Sequence, residues 1–256
     1  MLLTVDIGNS NIVIGVFEQN ELLHQFRLRT DKEQTEDGYA ALLLSLLRNF
    51  VDKDLKFTNA VVCSVVPVLT SVIVNTIEKL LNVTCLVVGP GIKSGISIHV
   101  DDPRSVGADR IVNAIATKKL YGTPALVIDF GTATTFDFIG EKGSYEGGII
   151  APGLVISTAA LVQAAAKLPQ IEFNWPETVV GRNTVAAMQS GTMLGYACMV
   201  EGLVKEIEKE QGKIKYIIAT GGVGNLMKSH IPCIQTYDPT LTLKGMQIIA
   251  EINFCD

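Results

Sequence analysis

Two short stretches of this sequence contain the residue types that hold nucleotide phosphates. Thr4 to Asn11, TVDIGNSN, and Val127 to Thr134, VIDFGTAT, are each an apolar run followed by Asp, a hydrophobic residue, Gly and small polar residues. A strand that ends at a carboxylate and turns on glycine leaves backbone N–H groups and short polar side chains facing one point. Such a turn can hold phosphate, and the carboxylate, Asp6 or Asp129, can hold the accompanying magnesium through water.

Either copy alone is also the pattern of an ordinary hairpin turn, because Asp and Gly are common turn residues. The repetition favours the phosphate-binding interpretation. The two copies lie nearly half the chain length apart in a sequence of 256 residues, which predicts two related halves with a cleft between them.

A third candidate group is the run Gly107-Ala108-Asp109-Arg110. Ser105 is placed to cap a helix whose first turn contains Asp109, and the unpaired N–H groups there would keep this carboxylate ionised. An Asp at this position is usually only a capping residue. It also suits phosphoryl transfer, in which the transition state is loose and a base takes the hydroxyl proton late. The three histidines lie far apart in the sequence and offer no competing base.

The duplicated pattern resembles the phosphate loops of the superfamily that contains sugar kinases, actin and the Hsp70 ATPase domain. Within that superfamily, the chain is similar to the type III pantothenate kinase family. The motifs that carry this resemblance occur in the family's order: DIGNSN at 6–11, GADR at 107–110, DFGTATT at 129–135, GGIIAPG at 147–153 and GRNT at 181–184. The resemblance implies an α/β fold of duplicated actin- and ribonuclease H-like domains, 1–116 and 117–256, with the active site in the cleft between them.

The resemblance also implies a reaction, the phosphorylation of pantothenate by ATP to 4'-phosphopantothenate, the first step of coenzyme A biosynthesis. Asp109 is then the base that accepts the proton of the primary alcohol. The implied substrate contacts are Gly107, Ala108, Asp109, Arg110, Thr184 and Val100, and the implied ATP contacts are Asp6, Ile7, Gly8, Asn9, Ser10, Asn11, Ile12, Val13 and Thr132. Gly222 is a weaker candidate for packing on adenosine, and equally suits a turn without ligand.

The two strand-end aspartates are implied to hold different ions. Asp6 would hold magnesium with ATP, and Asp129 matches the position that binds a monovalent cation, potassium or ammonium, in this family. The residues alone favour a second magnesium carboxylate at Asp129. The sequence departs from the family at Val100, where Tyr is frequent, so one hydroxyl contact to the substrate is expected to be missing.

Composition and charge exclude several other classes of protein. The net charge is −5 and no basic run exceeds Lys118-Lys119, so no nucleic-acid partner is expected. The N-terminus lacks the basic region of a signal peptide, and Pro67 interrupts the uncharged stretch 59–77, which predicts a strand and a helix rather than a membrane span. The cysteines lack metal-site spacing and are expected to be buried thiols in a reducing cytoplasm: Cys63, Cys85, Cys198, Cys233 and Cys255.

Hydrophobic periodicity places these motifs on alternating strands and helices. Strands are expected at 2–5, 12–17, 22–29, 60–66, 84–88, 125–130, 135–139 and 216–219. Helices are expected at 33–50, 67–81, 154–168 and from 184 to near 212, and irregular segments at 89–102, 147–153 and 169–183.

The helix after Asn183 bears on assembly. Val185 to Val200 contains no charged residue, and a helix without a solvated face must be buried on all sides. A central helix within one subunit is one explanation. We favour a symmetric homodimer, which the family resemblance also implies, together with a pantothenate pocket completed by Thr184 of the neighbouring subunit.

Three other functions use the same scaffold: a nucleotide-driven conformational switch, an accessory transcription factor, and a phosphohydrolase in which water replaces the alcohol. ATP consumption measured with and without pantothenate separates them from the kinase.

Overall fold

The computed structural model describes residues 1–51 and 56–254. Two compact units divide the chain: the first comprises Met1–Leu120 and Thr240–Asp256, and the second comprises Tyr121–Pro239. Cys255, one of the cysteines considered above, lies outside the described residues.

The first unit contains a five-stranded sheet. Its elements are β1 (Leu2–Ile7), β2 (Asn11–Glu18), β3 (Glu21–Arg29), α1 (Glu36–Phe50), β4 (Asn59–Ser64), α2 (Pro67–Leu81), β5 (Thr84–Val87) and, after a 3₁₀ turn at Pro103–Ser105, α3 (Ala108–Leu120). The strand order is β3-β2-β1-β4-β5, with antiparallel pairing along the β1–β2–β3 meander and parallel pairing of β4 with β1 and β5.

The second unit repeats this sheet. Its elements are β6 (Ala125–Phe130), β7 (Ala133–Ile139), β8 (Tyr145–Pro152), α4 (Leu154–Ala164), α5 (Thr184–Gln189), a π-helical turn (Ser190–Leu194), α6 (Gly195–Gln211), β9 (Tyr216–Thr220), α7 (Gly224–Lys228) and β10 (Thr236–Tyr237). The order β8-β7-β6-β9-β10 matches that of the first sheet strand for strand, as the repeated motif predicted. The last described element is α8 (Leu241–Phe254).

Local sequence signals account for the helix boundaries. The Thr35 hydroxyl accepts a hydrogen bond from the Gly38 N–H (3.2 Å) and caps α1. Pro67 begins α2, where its missing N–H costs no helical hydrogen bond, and Asn82 ends that helix in a left-handed conformation. Among the described residues, no helix is both long enough and apolar enough to cross a membrane.

In each central strand, alternate side chains point into a core. Leu3, Val5 and Ile7 of β1 belong to the core of the first unit, and Leu126, Ile128 and Phe130 of β6 belong to that of the second. Because side chains alternate along a strand, Asp6 and Asp129 project from the opposite face. The alternation therefore sets each candidate carboxylate apart from the main core of its unit.

The structure differs from the sequence-based prediction in several elements. Residues 147–152, predicted to be a loop because of their glycines, belong to β8, whose partner β7 supplies backbone hydrogen bonds whatever the side chains. α4 ends at Ala164 rather than at residue 168, and a π-helical turn interrupts the long helix after Asn183. The Asn183 side chain accepts from the Ala186 N–H (2.9 Å) and caps the start of α5.

The observed division also differs from 1–116 and 117–256. α3 extends to Leu120, and the C-terminal helix α8 packs on α3, β1 and β4 and so belongs to the first unit. Close approach explains this packing, since a Cβ on Gly245 of α8 would lie 2.6 Å from a side-chain methyl of Val112. Contacts between residues more than a hundred positions apart leave no local signal in the sequence.

Candidate active site

The first phosphate-type loop connects β1 to β2. The Gly8 N–H donates to the Asn11 carbonyl (3.0 Å), and the Thr30 hydroxyl donates to the Gly8 carbonyl (2.7 Å). A Cβ on Gly8 would lie 3.1 Å from the Asn11 carbonyl oxygen, so the turn is tight. The side chains of Asn9, Ser10 and Asn11 are exposed, whereas those of Ile7 and Ile12 are fully buried. The two isoleucines can therefore offer a ligand only their backbone.

Asp6 lies beside a thiol that the sequence analysis did not single out. Asp6 and Cys63 are partners in the β1–β4 ladder, and Cys63 is fully buried. Burial raises the pKa of the Cys63 thiol well above its usual value, and the charges of Asp6 and Asp109 and a hydrogen bond to Asp6 raise it further. Cys63 is therefore a neutral group close to both carboxylates.

Asp109 lies in the first turn of α3, as predicted. Its Oδ1 accepts a hydrogen bond from the Arg110 N–H (2.8 Å), and a Cβ on Gly107 would lie 2.6 Å from that same oxygen. Burial raises the pKa of Asp109, while the Arg110 N–H and the positive charge of Arg110 oppose the rise. A carboxylate with a raised pKa is a stronger proton acceptor, which suits a general base.

Ser105 does not cap α3, contrary to the prediction. Ser105 lies in the preceding 3₁₀ turn, where its hydroxyl donates to the Asp102 carbonyl (2.7 Å). Asp102 is the side chain that caps this turn, through the Arg104 N–H (3.1 Å). Val100 is half-buried in the irregular segment before the turn.

The second phosphate-type loop connects β6 to β7 and is enclosed by glycines. The Gly153 N–H, at the start of α4, donates to the Thr132 carbonyl (3.1 Å), and a Cβ on Gly153 would collide with that carbonyl. A Cβ on Gly221 would lie 2.5 Å from Asp129 Oδ1 and 2.6 Å from the Phe130 backbone. Gly153 and Gly221 thus allow the backbone to approach the loop and its carboxylate closely.

The remaining predicted contacts also lie in the second unit. Thr184 begins α5 and is exposed, and it lines a groove of about 810 Å³ together with Leu154, Thr158 and Arg182. Gly222 is exposed in the turn between β9 and α7, with no atom within 4 Å of a Cβ built on it. There is room for a ligand beside Gly222, but no contact identifies what that ligand would be.

Within each unit the surroundings of the carboxylate fit a phosphate-bound ion. Among residues 1–51 and 56–254, no three His, Cys, Asp or Glu side chains cluster as a metal site. Magnesium bound here would take most of its ligands from phosphate and water, as is usual for this ion. Asp129 Oδ1 lies close to the backbone of Gly221 and Gly131, because a Cβ built on them would be 2.5 and 3.5 Å from that oxygen.

The cysteines only partly match the expectation of buried thiols. Cys63 is buried, but Cys85 and Cys233 are half-buried and Cys198 is exposed. These four cysteines of the described residues are free.

Two matching sheets, each with a carboxylate before a glycine turn, define a duplicated ATPase fold of the actin and sugar-kinase type. Solved structures support this class. The fold is similar to that of an inorganic polyphosphate/ATP-glucomannokinase from Arthrobacter, with 16% identity, a TM-score of 0.51, and coverage of 97% of this chain and 98% of that one. It is also similar to a Baf family transcriptional activator from Campylobacter jejuni, with 20% identity, a TM-score of 0.61 and 97% of both chains covered.

Sequence comparison narrows this class to one family. The family model for type III pantothenate kinase matches residues 2–206. A type III pantothenate kinase of Moorella thermoacetica is 48% identical over 254 residues, which cover 99% of this chain and 100% of that protein. The chain belongs to the type III pantothenate kinase family.

Proposed function

We propose that this protein transfers the γ-phosphoryl group of ATP to the primary alcohol of pantothenate and forms 4'-phosphopantothenate and ADP. The observation that carries the proposal is the placement of Asp109 in the first turn of α3, in the same unit as the first phosphate-type loop. The buried Cys63, which is the ladder partner of Asp6, feels the charges of both carboxylates, so a proton acceptor and a loop carboxylate belong to one part of that unit. The family to which the chain belongs has the same activity. We also propose a cytoplasmic location, where ATP is available as the substrate.

The chemistry follows from this placement. Asp109 accepts the proton of the substrate hydroxyl as its oxygen forms a bond to the γ-phosphorus, and the bond from that phosphorus to the β-phosphate bridging oxygen breaks to release ADP. The raised pKa of Asp109 favours the proton transfer. Gly107 to Arg110 would contact pantothenate. Arg110 would place its positive charge beside the carboxylate of pantothenate.

We assign the two ions to different units. Asp6, with the backbone and side chains of residues 7–13, would hold the ATP phosphates with magnesium, which neutralises charge on the transferred group. Asp129 would hold the monovalent cation, and the Thr132 hydroxyl would contact phosphate. The N-terminal end of α4, hydrogen-bonded through the Gly153 N–H to the second phosphate-type loop, adds the partial positive charge of a helix start.

Turnover with each substrate omitted tests the proposed function. Purified protein with magnesium, potassium and ATP should form ADP only when pantothenate is added, and the phosphorylated product should appear by mass spectrometry in equal amount. ADP formation without pantothenate would indicate a phosphohydrolase. ATP binding without turnover in either condition would favour a conformational switch or an accessory regulator.

We further propose a homodimer whose contact includes the start of the uncharged helical stretch. Small side chains at Ala187, Gly191, Gly195 and Cys198 are exposed at spacings of three and four residues, which places them along one side of the α5–α6 stretch. Large apolar side chains in the same unit are also exposed: Val155 (48%), Ile156 (43%), Leu161 (46%), Val179 (69%), Val180 (80%) and Val185 (42%). Exposed apolar surface of this kind is typical of a subunit interface.

A shared pocket would be revealed by mixing two impaired proteins. If Asp109 and the partner's Thr184 form one pocket, refolding Asp109→Asn together with Thr184→Ala should give mixed dimers in which one pocket carries neither change. Random pairing should restore about a quarter of the unaltered activity. An active monomer in light scattering, or no recovery despite demonstrated subunit exchange, would contradict the shared pocket.

A further inference from the structure

The second unit contains a buried carboxylate that the scheme above does not use. Asp137, in β7, has no solvent exposure. Its Oδ1 accepts a hydrogen bond from the Tyr145 hydroxyl (2.8 Å), and its Oδ2 accepts one from the Thr135 hydroxyl (2.9 Å). Burying a carboxylate is costly unless donors stabilise it. These two donors explain how Asp137 is tolerated, but they leave open what it does.

The ladder between β6 and β7 places Asp129, the proposed cation ligand, on the same face of the sheet as Thr135 and Asp137, and these three residues form a polar row. Thr135 is the direct partner of Asp129, and Asp137 is the partner of Val127, one pair on along the same face. Directly opposed residues have Cβ atoms about 4.5–5.5 Å apart. Thr135 therefore shares one face of the sheet with both aspartates, directly opposite Asp129 and two residues before Asp137 on β7.

The first unit shows that the sheet does not require this row. The residues equivalent to Thr135 and Asp137, counted from the strand-end carboxylate, are Val13 and Gly15. A Cβ on Gly15 would lie 2.6 Å from Thr4 Oγ1, so that position has no room for a side chain. The same ladder thus forms with no polar group at either position. The polar row belongs to the unit in which Asp129 is assigned a monovalent cation.

The hydrogen-bond direction at Thr135 determines what its oxygen can do. A hydroxyl has one proton to donate and two lone pairs. The Thr135 hydroxyl donates to Asp137 Oδ2 (2.9 Å), so its one proton is committed to that carboxyl group. Oγ1 then offers only lone pairs to any other neighbour, and oxygen lone pairs are what a hard cation requires.

We propose that Asp137 is a positioning residue for the monovalent cation assigned to Asp129: it holds the Thr135 proton and so keeps Thr135 Oγ1 as a fixed acceptor toward that cation. This inference rests on the proposed function, in which Asp129 holds the ion. Tyr145 supports it by donating to the other oxygen of Asp137.

Two measurements on the whole protein test this role. The first is the potassium concentration that gives half-maximal turnover at saturating magnesium, ATP and pantothenate. The second uses no turnover: it is the increase in melting temperature when KCl replaces NaCl at equal ionic strength, which reports binding of potassium to the folded state.

Thr135→Val keeps the shape of the side chain and removes the hydroxyl. The half-saturating potassium concentration should rise by about tenfold or more, the usual effect of losing a group that orients metal ligands, and the KCl-specific melting increment should disappear. Thr135→Ser retains a hydroxyl and should restore both. A wild-type potassium response in Thr135→Val, or none in Thr135→Ser, would overturn the inference.

Asp137→Asn tests the carboxylate itself, because an amide N–H₂ facing Thr135 would donate to Oγ1 and occupy a lone pair. The expected result is the same loss of potassium response. Asp238→Asn is the matched control, since Asp238 is also buried in this unit and accepts from the Tyr121 hydroxyl at 2.8 Å. The control should keep the potassium response even if its melting temperature falls.

The outcomes remain informative if one variant fails to fold or if a premise is wrong. Should Asp137→Asn not fold, the two Thr135 variants decide. A folded Asp137→Asn with an unchanged potassium response would overturn the inference. The absence of any potassium response in the unaltered protein would remove the cation assignment together with this inference, whereas loss of pantothenate-dependent ADP formation would instead refute the proposed kinase.

Discussion

The two strand-end aspartates occupy equivalent positions in matching sheets, yet their neighbours differ. Asp6 lies between Val13 and Cys63, whereas Asp129 lies between Thr135 and Thr220. The first loop is also one residue longer. Its glycine N–H reaches the carbonyl three residues on, at Asn11, whereas that of Gly131 reaches the carbonyl two residues on.

This comparison separates what the fold determines from what the side chains determine. The duplicated ladder fixes where each carboxylate lies. The cross-strand partners then set its surroundings, which are a methyl-bearing side chain and a neutral thiol for Asp6, and two hydroxyls for Asp129. The first unit adds Asp109, the proposed base, and the second adds the buried Asp137.

The largest effect in this scheme is expected for Asp109→Asn, which removes the base and keeps the shape. Turnover should fall by about two to four orders of magnitude, the usual contribution of a general base, while ATP binding is retained. Asp102→Asn, at an exposed carboxylate of the preceding 3₁₀ turn, serves as the control. A loss below about tenfold would exclude Asp109 as the base.

Gly107→Ala should impair turnover by moving the Asp109 carboxylate rather than by removing its charge. The added methyl would lie 2.6 Å from Asp109 Oδ1 and must displace the carboxylate. We expect turnover to fall by about a hundredfold, since a shift of about 1 Å in a reacting group has that effect. Gly89→Ala, whose Cβ would meet no atom within 4 Å, should keep full turnover. Similar kinetics for both variants would show that the Gly107 contact is not important.

Gly221→Ala is the corresponding substitution in the second unit, but its effect should be on folding. Gly221 has a φ of +88°, and its added methyl would meet the Phe130 backbone, which cannot move aside as a carboxylate can. The free energy of unfolding should fall by about 1–3 kcal/mol in urea titrations. Gly222→Ala, in open space in the same turn, is the stability control. Equal stability of the two variants would contradict the close approach.

The smallest expected effect is on pH dependence. Asp109 acts as a base only when deprotonated, and because burial raises its pKa, kcat/KM should begin to fall at a pH above that expected for an exposed Asp. Arg110→Gln removes a charge that favours the carboxylate, so the acid limb should move to higher pH. An acid limb that stays in place or moves to lower pH would show that Arg110 does not tune this group.

Much of this framework could be predicted from the sequence because its signals are local. The repeated Asp-x-Gly after an apolar run gave both hairpins, and GADR placed Asp109 in the first turn of a helix. The family resemblance, confirmed by the comparisons, supplied the reaction.

The remaining features depend on contacts that are distant in the sequence. Cys63 lies next to Asp6 only because β4 pairs in parallel with β1. Helix α8 joins the first unit through its packing on α3. The segment 147–152 looks like a loop by composition, because strand formation there depends on the neighbour β7 rather than on its own residues. Asp137 lies next to a recognised motif, but its burial and its two donors are visible only in the folded unit.

The central claim, that one duplicated position holds different ions in the two units, is tested most directly by a crossed ion titration of Asp6→Asn and Asp129→Asn. Turnover would be measured against magnesium at fixed potassium, and against potassium, with sodium as the replacement, at fixed magnesium. We predict that Asp6→Asn raises the half-saturating magnesium concentration and keeps the preference for potassium over sodium. Asp129→Asn should abolish that preference and leave the magnesium requirement unchanged. If Asp129→Asn instead raises the magnesium requirement and retains the potassium preference, both loops hold magnesium and the claim is contradicted.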